Sequence, residues 1–295
     1  MKRITIILPV IAFALAAVFF TYSDRASAAV TSKAPNGNGL VGWWTFDEGA
    51  GTKAHDFSGR ASTGTLNNGP TWVSGKKGKA ISFSRASNQN VSAGTDLLSG
   101  NNPFTIAAWV NPSELTNAWK TIFAETCNGP ALTINVDNIH YGRNCGQGNN
   151  FAGYQLPSTA VNTWFHVVMV FDGTNNRLYK DGVLVGGPSA NNYAAGGHGA
   201  AYIGSYKAAA ADGEHFNGKI DDVRVYNREL SASEVSALYL SGQATRKVAS
   251  DTGLVGRWTF DEGTSTLAHD ISGRGKNATL NGSPVWSSGV RGKGL

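Results

Sequence analysis

Between Gly39 and Gly242 the chain alternates short apolar runs with clusters of Gly, Asn, Pro and Asp. Phe104-Thr105-Ile106-Ala107-Ala108-Trp109-Val110 stops at Asn111-Pro112, and Trp164 to Phe171 stops at Asp172-Gly173. Runs of this length, rich in β-branched and aromatic residues and closed by turn formers, predict strands. Arg177 to Lys180, then Asp181-Gly182, then Val183 to Val185 predicts a hairpin, because Asp-Gly suits a two-residue turn with positive φ. Ala201 to Gly204 and Lys219 to Tyr226 supply further strands. One helix is predicted near the end. Ser231-Ala232-Ser233-Glu234 forms a capping box, Val235, Leu238 and Tyr239 form an apolar face, and Gly242 provides the stop. Many strands and one short helix imply an all-β fold of two packed antiparallel sheets.

The opening of this region returns later. Gly39-Leu40-Val41-Gly42-Trp43-Trp44-Thr45-Phe46-Asp47-Glu48-Gly49 recurs as Gly253 to Gly263 with Arg257 in place of Trp43, a constant 214 positions on. About 26 of 43 paired positions are identical, which implies a tandem array of one domain type. The expected layout is an export segment at 1–28, a linker at 29–38, a domain at 39–242, a linker at 243–252 and the N-terminal fragment of a second domain at 253–295. Because that fragment is far shorter than the sandwich it opens, the sequence is expected to be truncated at its C-terminus. As written it would expose Trp258, Phe260 and Trp286, an aggregation hazard.

Composition changes this picture little. The chain is 41% hydrophobic and 15% charged, enough for a packed core, and its 37 glycines are scattered as turns require. The net charge of +5 carries no basic stripe, the densest cluster being Lys76, Lys77 and Lys79; a nucleic-acid partner is not expected. Residues 1–28 read as a secretory signal. Lys2 and Arg3 precede an apolar stretch from Ile4 to Phe20, and Ala26-Ser27-Ala28 offers a cleavage site. The protein is expected to be secreted or on the cell surface, with membrane attachment only through an uncleaved signal anchor. Outside the cytoplasm Cys127 and Cys145 are expected to form a disulfide worth about 3 kcal/mol, the alternative being two buried thiols.

The ordered motifs carry a resemblance. Gly-Leu-Val-x-x-Trp-x-Phe-Asp-Glu-Gly at 39–49 is followed by Asp-x-Ser-Gly at 56–59, Gly78-Lys79-Ala80, Phe104-Thr105-Ile106-x-x-Trp109-Val110 and Trp164-Phe165-His166-Val167-Val168. Tyr179-x-Asp181-Gly182, Tyr202-Ile203-Gly204 and Phe216 to Arg228 complete the order. The pattern resembles the laminin-G-like, concanavalin-A-like jelly-roll superfamily of bacterial extracellular proteins. It implies a two-sheet antiparallel jelly-roll sandwich and leaves the ligand open. One departure is Phe83-Ser84-Arg85, where members often carry Phe-Asp-Gly. The resemblance also implies a structural calcium near the chain ends, with Asp47, Asp56, Asn67 and Asp222 as candidate oxygen ligands. The alternative is that these are turn formers and surface carboxylates.

A glycan site needs aromatic faces beside polar groups. Trp109 and Trp164 lie in predicted strands and are assigned to the core. Trp119 lies in a predicted loop, and Tyr141, Arg143, Asn149 and Tyr154 share a second polar, aromatic loop; these five are the candidate ligand residues. Trp43 is expected to face solvent, since Arg257 replaces it in the repeat. Catalytic signatures are missing. The sequence has no Glu-x-Asp-x-x-Glu strand, no Gly-x-Ser-x-Gly and no His-Glu-x-x-His, and Ile220 breaks the phosphate-loop likeness of Gly213 to Lys219. The expected function is a non-catalytic exported module that binds carbohydrate or another surface polymer. The alternatives are a structural spacer and an accessory module of a secreted glycoside hydrolase.

Overall fold

A computed structural model describes residues 37–125, 129–143, 151–191, 193, 199–206 and 214–243, with shorter stretches between 255 and 294. The export segment, Cys127, Cys145 and Asn149 lie outside the described residues, as do most of the 243–252 linker and the side chain of Arg143.

Sixteen strands build two antiparallel sheets. In chain order they are β1 (Leu40–Trp44), β2 (Lys53–Ala54), β3 (Gly64–Asn67), β4 (Thr71–Ser74), β5 (Lys79–Phe83), β6 (Asn90–Thr95), β7 (Phe104–Pro112) and β8 (Lys120–Glu125). Then come β9 (Ala131–Asn135), β10 (Asn138–Arg143), β11 (Phe151–Gln155), β12 (Phe165–Phe171), β13 (Asn175–Lys180), β14 (Val183–Ala190), β15 (Ala200–Ile203) and β16 (Gly218–Tyr226). The first sheet runs β14-β13-β12-β7-β16-β5-β4, with β1 also paired to β16; the second runs β11-β10-β9-β8-β15-β6-β3-β2. The expected all-β, two-sheet architecture is the one observed. Helix α1 (Ala232–Gln243) follows β16.

The central strands of the first sheet are buried on both faces, which is why they read as continuous apolar runs rather than alternating ones. Phe104, Ile106, Ala108 and Val110 of β7 point into the core between the sheets. Ala107 points the other way, into a second cluster where Val168, Val170 and Tyr226 meet Val235 and Leu238 of α1. The capping box forms as expected: Ser231 N–H donates to Glu234 Oε2 at 2.9 Å and Glu234 N–H to Ser231 Oγ at 3.3 Å. Gly242 does not stop the helix but lies in its last turn, where a Cβ would overlap the indole nitrogen of Trp109. Trp109 is buried, as expected, but under the helix, stacked on Tyr239 at 5.7 Å. Trp164 is half-buried just before β12 rather than a strand residue.

A polar row crosses this covered face. Asp221 of β16 and His166 of β12 both sit opposite Trp109 of β7. All three are buried, and Asp221 Oδ1, Trp109 Nε1 and His166 Nδ1 have no hydrogen-bond partner among the described residues.

At 255–294 the local pairings of the opening strands recur. β17 (Leu267–Ala268) and β18 (Ala278–Thr279) repeat the β2–β3 register, and β19 (Ser287–Ser288) and β20 (Lys293–Gly294) repeat that of β4 and β5. The Trp258 indole N–H donates to the Lys276 carbonyl at 2.9 Å, as the Trp44 indole does to the Ser62 carbonyl at 3.1 Å.

Two outcomes are expected. Gly242→Ala should destabilise the protein by about 1–2 kcal/mol in urea unfolding, because overpacking against Trp109 outweighs the helix-propensity gain; a more stable variant would contradict this packing. Burial pushes the His166 imidazole down to about 3, against about 6.5 in an unfolded chain. The unfolded chain therefore binds a proton between pH 6.5 and 3 that the folded chain refuses, and stability falls on acidification through that window by up to about 5 kcal/mol. Between pH 7 and pH 4 the parent should lose about 3 kcal/mol more stability, read from urea midpoints, than His166→Gln; equal pH dependence in both proteins would refute it.

Candidate functional site

The outer face of the second sheet has no helix over it among the described residues, and its side chains are of a different kind. Strict alternation in β9 turns Leu132 and Ile134 inward and Ala131 and Thr133 outward. Thr133 pairs with Thr121 of β8 on one side and His140 of β10 on the other. One row therefore reads Thr121, Thr133, His140 across three strands. A second row, Ala131, Ala124, Tyr202, Ser92, Thr65 and Lys53, crosses six. Asn67 extends it, its amide N–H donating to Asn90 Oδ1 at 2.9 Å and to Ser92 Oγ at 2.8 Å.

Trp119 closes the first row. It ends the loop that leads into β8 and meets the His140 ring edge to face, with centroids 4.9 Å apart. Both rings are partly exposed. The hydroxyls of Thr121 and Thr133 are buried and have no hydrogen-bond partner among the described residues, which is costly unless water or a ligand supplies one. Lys53 is the one charged side chain in the two rows. Thr121, Thr133, Ala124 and Ala131 are fully buried, so the groups exposed at this face are the Trp119 and His140 rings and the side chains of Tyr202, Ser92, Thr65, Asn67 and Lys53.

Trp119 is the expected ligand residue that lies on this face. His140 was not among the candidates, although it precedes Tyr141 and period-two alternation puts the two on opposite faces. Residues 138–143 and 151–155 form a hairpin of β10 and β11, not the expected polar loop. Tyr141 accordingly points into the core, is 2% exposed, and lies with its hydroxyl 3.1 Å from Ser189 Oγ. Tyr154 pairs with Ile139, packs on the same core and carries the Lys180 ammonium 5.7 Å above its ring. Neither tyrosine is placed to meet a ligand on this face. Trp43 is half-buried rather than free in solvent. Its indole N–H donates to Asp222 Oδ1 at 2.7 Å and its ring carries the Arg224 guanidinium at 4.5 Å.

The four calcium candidates do not converge. Asp56 takes N–H donors from Trp43, Ser58 and Ser62 and the Ser58 hydroxyl, all at 2.8–2.9 Å, and so organises the Asp56–Gly59 turn. Burial alone would raise the Asp222 carboxyl, but Arg224 and Lys77 hold it well below the usual carboxylate range. Asp47 accepts the Lys79 N–H at 2.9 Å, and Asn67 belongs to the second sheet. No group of three His, Cys, Asp or Glu side chains that could hold a metal is present among the described residues. The quartet does not fit a calcium ion, because its oxygens are occupied by protein donors or separated in space.

Comparison with known proteins agrees with this architecture. No curated protein matches the chain. Among solved structures, domain 4 of AbnA, a GH43 extracellular arabinanase from Geobacillus stearothermophilus in complex with arabinotriose, aligns at 21% identity with a TM-score of 0.54, covering 68% of this chain and 98% of that domain. The binding domain of Paraclostridial Mosquitocidal Protein 1 aligns at 17% identity and 0.55, covering 69% of this chain and 52% of the other. Trypanosoma rangeli sialidase in complex with the inhibitor DANA aligns at 17% identity and 0.52, covering 72% of this chain and 34% of the enzyme. At these identities the likeness is one of fold, and this chain spans about half of the second relative and a third of the third. Residues 85–236, just over half of the sequence, match the laminin-G-type family described as the concanavalin A-like lectin/glucanases superfamily, and the chain belongs to it.

Proposed function

We propose that the protein is an exported, non-catalytic module that binds carbohydrate on the outer face of its second sheet. The observation that carries this reading is the Trp119–His140 ring pair at the end of a row of outward-facing threonines whose buried hydroxyls have no partner among the described residues. Aromatic faces take the apolar C–H surface of a sugar, while neighbouring hydroxyls, amides and imidazoles exchange hydrogen bonds with its hydroxyls. The complex of the arabinanase domain with arabinotriose supports a sugar as the ligand class. The absence of a carboxylate pair from the two rows supports binding over hydrolysis. Export rests on the charge and apolar pattern of residues 1–28, and recurrence of the opening motif supports an array in which weak sites gain avidity.

Affinity electrophoresis of the purified chain through gels containing arabinan, xylan, mannan or β-glucan tests the reading. One polysaccharide class should retard it. Trp119→Ala and His140→Ala should each weaken retardation tenfold or more, about 1.4 kcal/mol. Tyr141→Phe, a change within the core, should lower the melting temperature and leave retardation intact. Equal mobility in all gels, or retardation unaffected by both outer-face variants, would overturn the assignment.

A further inference from the structure

The residue after Trp119 is unusual for its position. Lys120 opens β8 opposite Ile134, whose side chain lies in the core, and Lys120 is itself fully buried. An apolar residue would suit that position, since a buried ammonium without a carboxylate partner is unfavourable. Instead the side chain turns back on the loop before it. Its Nζ donates to the carbonyl of Thr116 at 2.7 Å and to that of Ala118 at 2.8 Å. The Thr116 carbonyl also accepts the Ala118 N–H at 2.7 Å, so Thr116 to Ala118 is one tight turn with two carbonyls ending on a single ammonium. Trp119 is the next residue along. Glu114, in the same loop, and Arg85, from the turn after β5, are the charged groups around the ammonium, and they pair with each other at 3.0 Å.

We propose that Lys120 is a positioning residue for the ligand face: by tying down the carbonyls of Thr116 and Ala118, its ammonium holds Trp119 edge-on to His140, and loss of that ammonium unseats the indole while the sandwich stays folded. The role in ligand binding rests on the carbohydrate reading above; the clamp itself does not. Charge-assisted hydrogen bonds are roughly twice as strong as neutral ones, so deprotonation loosens the turn. Burial pushes the Lys120 ammonium down to about 8, opposed by Glu114 and reinforced by Arg85. The platform therefore slackens as pH rises through about 8. Global stability moves the other way. Between about 8 and the model-peptide value of 10.5 the folded chain has released a proton that the unfolded chain still binds, so this group adds stability as pH rises. Loosening of Trp119 and unfolding are thus separable.

The full chain labelled with 5-fluorotryptophan provides the test, with the Trp119 resonance among its eight tryptophans assigned by its disappearance in Trp119→Phe. From pH 7 to 9.5 the Trp119 ¹⁹F resonance should titrate with a midpoint near 8 while the urea midpoint does not fall. In Lys120→Met, which keeps the stem and loses the donors, the resonance should be shifted at pH 7 and should not titrate. Polysaccharide retardation by that variant should drop about tenfold. A Trp119 resonance that stays fixed in the parent across this range, or that matches the parent in Lys120→Met, would overturn the proposal. Where Lys120→Met does not fold, the parent titration alone decides. A titrating Trp119 in a chain that no polysaccharide retards would leave the clamp standing and remove the carbohydrate assignment.

Discussion

One extra residue in β16 organises the first sheet. Between the Asp221–Trp109 and Arg224–Ala107 pairs, Asp222 and Val223 oppose the single residue Ala108, and Asp222 adopts φ 46, a left-handed conformation that Asp tolerates better than most residues. Before the bulge β16 pairs with β5; after it, with β1. The bulge therefore lets a single strand receive both ends of the N-terminal segment. It also puts two adjacent carboxylates on a buried face, where both cannot stay charged at little cost. The surroundings divide the task. Arg224, Lys77 and the Trp43 indole keep Asp222 ionised, whereas burial and the Asp222 charge push Asp221 well above the ordinary range. The Lys77 N–H donates to Asp221 Oδ2 at 2.8 Å, and the turn that carries it is glycine at 75 because a Cβ would overlap the Lys79 carbonyl and press on that same oxygen.

The two outer faces then have different fates. On the first sheet α1 covers Ala107, Val168 and Tyr226 and brings Tyr239 onto Trp109. That face is committed to stability, and its residual polar row of Asp221, Trp109 and His166 is sealed from solvent. On the second sheet threonine, serine, asparagine, tyrosine and histidine occupy the equivalent positions. Thr121, Thr133, Ala124 and Ala131 of that face are nonetheless fully buried, and Tyr206 packs on the two alanines. Arg85, in the turn after β5, pairs with Glu114 in the loop that leads to Trp119.

The fold was legible because the Asp181-Gly182 turn and the capping box are local signals whose physics does not depend on distant residues, whereas β7 runs on through Asn111 and Pro112, the residues expected to stop it. The hairpin at 183 and the helix start both fell where the residues pointed. Of the candidate ligand residues whose side chains are described, Trp119 lies on the outer face of the second sheet and Tyr141 and Tyr154 do not. Tyr141 and His140 are neighbours in sequence and opposite in direction, so the aromatic residue that drew attention is a core residue and the imidazole beside it faces outward. Deciding between them required the strand register. Asp56 misled for a related reason. An acidic residue followed by Ser-Gly suits a metal loop and an Asx-type turn equally, and the four donors that fill its oxygens come partly from Trp43 and Ser62, beyond the motif itself.

The recurrence at 255–294 separates local from distant causes within one sequence. Trp258 keeps the indole hydrogen bond of Trp44, Asp270 is as buried as Asp56, and both short hairpins keep their registers. Turn chemistry and nearest-strand pairing are therefore encoded within the segment. Packing is not: Val255 is 73% exposed where Val41 is 3%, and Trp258 is 37% exposed where Trp44 is 0%. The difference is the contribution of β7 and β16 and the sheet opposite. Burial of those apolar faces, not formation of the hairpins, is what turns this motif into a stable domain.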